Sequence, residues 1–200
     1  MMDNTYTLGK DEAKEVLKPY AQLFYDAITG GFSDYKTHDS ERAIIHDKTV
    51  KSNLVRSYVL YRVKHLVANN PSLRLIEQKR MFAVLVSDKI IVRFKKLNEI
   101  FRSSNIPTKQ IKDFRSRVIT FQGVRALPID AGWRVNDFYS EIEDVHFVCP
   151  NGVGNLWRFP LEDLAVQKIQ TVIFPRKDEE IIPIVTVKSE IAHVNRKTAN

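Results

Sequence analysis

Apolar and polar residues alternate with helical spacing near the start of the chain. Residues 11–28 carry apolar side chains every three or four positions, which predicts an amphipathic helix. Gly30-Gly31 follows the last of these positions and is expected to end the helix. Pro19 lies inside the pattern, and we expect it to kink the helix or divide it in two.

A second and longer helix is predicted from residue 39 or 40 to residue 69, where Asn69-Asn70-Pro71 stops it. One set of its apolar residues is assigned to the buried side: Ile44, Val50, Leu54, Tyr58, Tyr61 and Leu66. Lys48, Lys51 and Arg62 fall close together on the helical wheel and are expected to form one exposed basic stripe.

The pattern then changes to strands. Residues 73–78, 81–86 and 90–95 are rich in β-branched and aromatic side chains, and Ser87-Asp88 makes a turn between the last two. Alternation in the third strand places Arg93 and Lys95 on one face and Phe94 on the other.

Helices are predicted again at residues 97–103 and 108–121, the second capped by Thr108. Strands are predicted at residues 126–135, 142–149 and 156–159. This order of elements favours an α+β fold, in which N-terminal helices pack on an antiparallel or mixed β-sheet.

We predict a single globular domain at residues 1–170, followed by a separate C-terminal part. Within residues 171–200 we predict a β arm, either a hairpin or an edge strand, followed by a polar tail. The apolar segment 181–187 contains Pro183, which cannot donate a hydrogen bond to a neighbouring strand. This segment is therefore predicted to lie at a sheet edge, where it is a candidate for homo-oligomer contacts.

Charge is concentrated in the middle of the chain. Residues 42–117 hold 18 lysines and arginines against 5 acidic residues, a local charge of +13 within a net charge of +7. So few acids cannot neutralise the block by pairing along helices, and such a block is typical of a surface that binds nucleic acid or another polyanion. The predicted nucleic-acid-binding residues are Lys48, Lys51, Arg62, Arg93, Lys95, Lys96 and Arg115.

One alternative is a metal-dependent nuclease of the restriction-endonuclease-like class. Such an enzyme needs an acid on one strand and a Glu-x-Lys on the next, so that two carboxylates hold Mg²⁺ while the lysine helps to activate water. Glu77 and Lys79 match the second half, and no upstream strand supplies the first. The next strand has Arg93-Phe94-Lys95, where an arginine opposes metal binding. These two residues are therefore weak catalytic candidates.

Other chemistry has little support in the sequence. The histidines lack metal-ligand spacing and Cys149 is the only cysteine, so we expect no metal site, no cofactor and no disulfide. No apolar run reaches the length that crosses a bilayer, and we expect a cytoplasmic protein without a membrane partner.

The leading hypothesis is a protein that binds nucleic acid or a polyanion through residues 42–117, and we expect a binding protein, or a degenerate enzyme, in place of an active enzyme. It could serve as an accessory protein of a bacterial mobile or defence locus. A different class is also open: a protein-interaction module, such as an antitoxin or defence subunit, whose basic surface meets an acidic protein.

Overall fold

In a computed structural model, the protein is described at residues 8–42, 44–78, 81–103, 108–116, 120–121 and 124–165. Helices α1 (Lys10–Asp39) and α2 (Lys48–Ala68) form one layer, and a six-stranded mixed sheet forms the other. The predicted α+β arrangement is therefore confirmed. None of the helices in these ranges is long and apolar enough to cross a membrane.

Helix α1 continues past Pro19 and past Gly30-Gly31, so its predicted end near residue 28 is wrong. The glycines serve helix packing instead. A Cβ atom at Gly31 would lie 2.6 Å from the backbone nitrogen of Val59 on α2, and only glycine leaves room for that approach.

Helix α2 starts later than predicted, because Asp47 caps it. The Oδ1 atom of Asp47 accepts a hydrogen bond from the Val50 backbone nitrogen at 2.8 Å. The residues that α2 buries fully are Val55, Val59 and Val63, and not the predicted stripe. Apolar side chains occur on several sides of this helix, so their spacing alone could not select the buried side.

The strands of the large sheet stand in the order in which they occur along the chain. They are β1 (Leu73–Gln78), β2 (Met81–Val86), β3 (Ile90–Lys96), β6 (Leu127–Val135), β7 (Ile142–Asn151) and β8 (Gly154–Pro160). All neighbours are antiparallel except β3 and β6, which are parallel. A two-stranded hairpin, β4 (Thr120–Phe121) with β5 (Val124–Arg125), lies between them in the chain.

The connection from β3 to β6 differs from the prediction in two places. Residues 97–103 form a turn closed by an isolated bridge between Leu97 and Ser103, and not a helix. The next helix, α3 (Lys109–Arg115), begins after the predicted cap Thr108 but ends well before residue 121. A last short helix, α4 (Glu162–Ala165), follows β8.

The sheet has two unlike faces. Its helix face packs Phe94, Leu127, Trp133 and Phe147 into one apolar core with α1 and α2. Its outer face has a smaller apolar patch under Phe114 of α3, and beside this patch lie buried charged and polar side chains. The predicted C-terminal β arm lies outside the described residues.

Candidate anion-binding site

A buried ion pair lies at the centre of the outer face. Strand alternation places Arg93 and Lys95 on that face and Phe94 on the helix face, as predicted, and Arg93 stands opposite Asp130 of β6 in the register. The Arg93 and Asp130 side chains are only 5% and 2% exposed. Arg93 donates through Nε to Oδ1 at 2.9 Å and through Nη2 to Oδ2 at 3.1 Å. This is the two-pronged contact that arginine makes with a carboxylate.

The connection between β3 and β6 holds this pair in place. Ser103 donates its hydroxyl hydrogen to Asp130 Oδ2 at 2.9 Å. The ring of Phe114 lies 3.4 Å from the Arg93 guanidinium carbon, and the adjacent Arg115 donates to the Ser103 carbonyl oxygen at 2.6 Å. Both oxygens of Asp130 therefore accept hydrogen bonds, from Arg93 and from Ser103.

Two further cations, Lys95 and Arg56, lie beside the pair and form no ion pair with a carboxylate among the described residues. Burial, followed by repulsion from Arg56 and Arg93, lowers the pKa of Lys95 from its ordinary value of 10.5 to about 8, although Asp130 acts in the opposite direction. Burial and the charge of Arg93 also lower the pKa of Arg56. The Nε atom of Arg56 is buried and has no hydrogen-bond partner among the described residues.

Arg115 adds to this charge from the side of α3. Burial and repulsion from Arg102 lower the pKa of Arg115, against an opposite effect of Asp130. We call Arg56, Arg93, Lys95 and Arg115 the basic cluster. Among the described residues, Asp130 is the only buried carboxylate, so this cluster holds four cations around one buried acid.

The gap in the sheet at the end of β3 explains how α2 reaches the cluster. Strand β2 pairs with β3 only at Ile90, Ile91 and Val92, while β3 continues to Lys96 against β6. Helix α2 contacts β3, and the charge of Arg56 acts on both Arg93 and Lys95. A loop-like opening at a sheet edge is a common place for a ligand to meet side chains of several elements.

Three other predicted binding residues gather elsewhere, around Tyr139. The ammonium of Lys96 donates to the Tyr139 hydroxyl at 2.6 Å, and that of Lys51 lies 5.8 Å from the ring centre. Lys48 lies nearby, since its backbone oxygen accepts from the Tyr139 hydroxyl, and its ammonium pairs with Asp137 at 2.7 Å. These lysines do not belong to the basic cluster.

Arg62 is separate from both groups. Its guanidinium makes two hydrogen bonds to Asp34 of α1, at 2.5 Å and 2.7 Å. The three residues of the expected stripe therefore contact acidic and aromatic side chains of other elements and do not form one free basic surface. Sequence spacing alone could not reveal those partners.

Of the two weak nuclease candidates, only Glu77 lies within the described residues, and it does not belong to the basic cluster. Glu77 stands opposite Phe82, a residue of the helix face, and pairs with Lys64 of α2 at 2.7 Å. Lys79 lies outside the described residues. In the ranges that the structure describes, no three His, Cys, Asp or Glu side chains are grouped closely enough to hold a metal ion.

Sequence reasoning missed Arg56, Ser103 and Asp130. Asp130 could have been found, because it is the only acidic residue of the predicted strand 126–135 and stands between apolar residues, and a buried carboxylate needs a cationic partner. Arg56 follows the buried Val55, but the wrong choice of the buried side hid this neighbour. Ser103 gave no signal, because its segment was predicted as a helix.

Comparison with known proteins adds no further information about this site. The chain matches no protein family, and neither a curated protein nor a solved structure is significantly similar to it. The function must therefore be inferred from the residues and their geometry.

Proposed function

We propose that the protein binds nucleic acid, and that the basic cluster on the outer face of the sheet is where phosphate groups bind. The observation that carries this proposal is the half-buried pair of Arg56 and Lys95: burial and the charge of Arg93 act on both, and Asp130 is the only buried carboxylate within the described residues. Bringing like charges together away from water costs stability, and an arriving anion removes that cost.

Phosphate suits this arrangement for two reasons. Guanidinium groups donate several N–H bonds in a fixed plane, which fits phosphate oxygens, and lysine adds a compact charge with three donors. The Arg93–Asp130 pair supports the cluster as a rigid base, because both partners are buried and held to each other by two hydrogen bonds. The Nε atom of Arg56 has no hydrogen-bond partner within the described chain, so the protein itself does not fully satisfy the cations beside the pair.

Nucleic acid is favoured over an acidic protein by the neighbouring side chains of the outer face. The half-buried ring of Phe101 has the guanidinium carbon of Arg158 at 3.6 Å and that of Arg134 at 5.1 Å. Rings interleaved with guanidinium groups are typical of surfaces that contact bases and backbone together.

A titration with two salt concentrations tests the proposal. Fluorescence anisotropy would be measured with labelled single-stranded and double-stranded DNA and RNA, for the wild type and for the variant with both Arg56→Met and Lys95→Met. The matched control carries Lys89→Met and Lys112→Met, which remove the same charge from exposed positions of the same basic block.

We expect the cluster variant to lose about tenfold or more in affinity and to have a salt slope lower by about 1–2. The control variant should lose much less. Equal affinities in the two variants would mean that general charge, and not the cluster, binds nucleic acid. If no nucleic acid binds the wild type while an acidic protein does, the proposal is wrong and the interaction-module alternative replaces it.

A cytoplasmic location, a role in a bacterial defence or mobile locus, and a homo-oligomer formed through the C-terminal segment stay predictions from the sequence. The proposed binding does not depend on any of them.

A further inference from the structure

The basic cluster differs from an ordinary nucleic-acid surface in its depth. Lys95 is half-buried and the Nε atom of Arg56 is inaccessible to water, whereas residues that track a nucleic-acid backbone are commonly exposed. Phe114 covers Arg93 from one side, and the turn of residues 97–103 follows directly after β3. A ligand group must therefore project inward to reach these cations.

The charge of the cluster is also high for one phosphodiester. Once the Arg93–Asp130 pair is neutral, Arg56, Lys95 and Arg115 leave three positive charges in the basic cluster. An internal phosphodiester carries one negative charge, while a terminal phosphate monoester carries about 1.5 to 2 at neutral pH. The monoester therefore balances more of the charge of the cluster than the diester does.

The donors point to the same ligand. Arg56 and Lys95 together offer more N–H groups than the two free oxygens of a phosphodiester can accept, whereas a terminal phosphate has three strong acceptor oxygens. We infer that the basic cluster is a pocket for a terminal phosphate, so that the protein recognises the phosphorylated end of a nucleic-acid strand through Arg56 and Lys95. This inference rests on the proposed function.

The test compares three labelled oligonucleotides of one sequence, with a 5′-phosphate, with a 3′-phosphate, or with hydroxyl groups at both ends. We expect one phosphorylated form to bind the wild type about tenfold or more tightly than the hydroxyl form. The preference should disappear in Lys95→Met and persist in the control Lys89→Met. The phosphorylated oligonucleotide that binds more tightly shows whether the protein recognises the 5′ or the 3′ end of the strand.

A second variant and a second probe keep the test independent of folding. Arg56→Met should lose the same preference, which covers the case in which Lys95→Met fails to fold. Inorganic phosphate should compete with the preferred oligonucleotide in the wild type and not with the residual binding of either variant.

The outcomes separate this inference from the proposed function. Equal binding of all three oligonucleotides, weakened equally by Lys95→Met, would overturn the terminal-phosphate pocket and leave nucleic-acid binding in place. Absence of binding to every oligonucleotide would overturn both.

Discussion

The two faces of the sheet are built on opposite principles. The helix face buries side chains such as Phe94 and Trp133 against α1 and α2, and its interior needs no charges. The outer face buries Arg93 and Asp130 and places Arg56 and Lys95 beside them. Apolar burial stabilises the fold, whereas buried like charges oppose it. The comparison indicates that the helix face maintains the fold and that the charges of the outer face cost stability, which is consistent with the binding proposed there.

The strongest way to break the outer face is to remove Asp130, the only buried acid within the described residues. Asp130→Asn leaves the buried Arg93 without a countercharge among three other cations, and we expect a loss of about 3–5 kcal/mol in the free energy of unfolding. Urea denaturation followed by circular dichroism measures it. Asp137→Asn is the control, because that carboxylate is exposed and its loss should have no measurable effect. Equal free energies of unfolding of the two variants would show that the Asp130 carboxylate does not stabilise the outer face.

The helix face should be sensitive to volume instead of charge. Gly31→Ala would push a methyl group against the backbone of Val59, and we expect a loss of about 1–3 kcal/mol. Gly30→Ala is the matched control, since its methyl group meets only the Arg62 guanidinium, which can move away. Thermal denaturation of both variants compares them. If Gly31→Ala is as stable as Gly30→Ala, the helices do not approach as closely as described.

A pH change should move stability and binding in opposite directions at Lys95. Its pKa in the folded protein is about 8 against an ordinary 10.5, so the unfolded chain binds more protons between these values. Stability relative to Lys95→Met should therefore rise as pH increases from about 8 to 10.5. Affinity for nucleic acid should fall over the same rise, because the ammonium charge is lost. Affinity that stays constant through this range would show that Lys95 does not contact the ligand.

The smallest effect is expected at the exposed ion pair of Lys48 and Asp137. Lys48 and Asp137 are 70% and 84% exposed, so their coupling in a double-mutant cycle should vanish at moderate salt. Lys48→Gln, Asp137→Asn and the double variant would be compared by thermal denaturation. A large coupling energy that persists at high salt would mean that this exposed ion pair stabilises the protein, contrary to the prediction.

Strand alternation correctly predicted the strands of the large sheet and the shared face of Arg93 and Lys95. The hairpin of β2 and β3 and the placement of Arg93 and Lys95 opposite Phe94 follow from a two-residue period, which short strands impose strictly. The predicted end of α1 is wrong, because Gly30-Gly31 lies within the helix and allows it to pack against α2. Local sequence does not reveal this contact. Arg56 joins β3 across the fold, so its role depends on tertiary contacts that periodicity cannot supply.

Lys95 provides the most direct test of the claim that the charges of the outer face cost stability and serve binding. Lys95→Met removes a cation that lies with Arg56 and Arg93 and keeps a chain of similar length. Melting temperature and oligonucleotide affinity would be measured on the same preparation at neutral pH. We predict a higher melting temperature than that of the wild type together with an affinity that is lower by about tenfold or more. A lower melting temperature with unchanged affinity would contradict the claim.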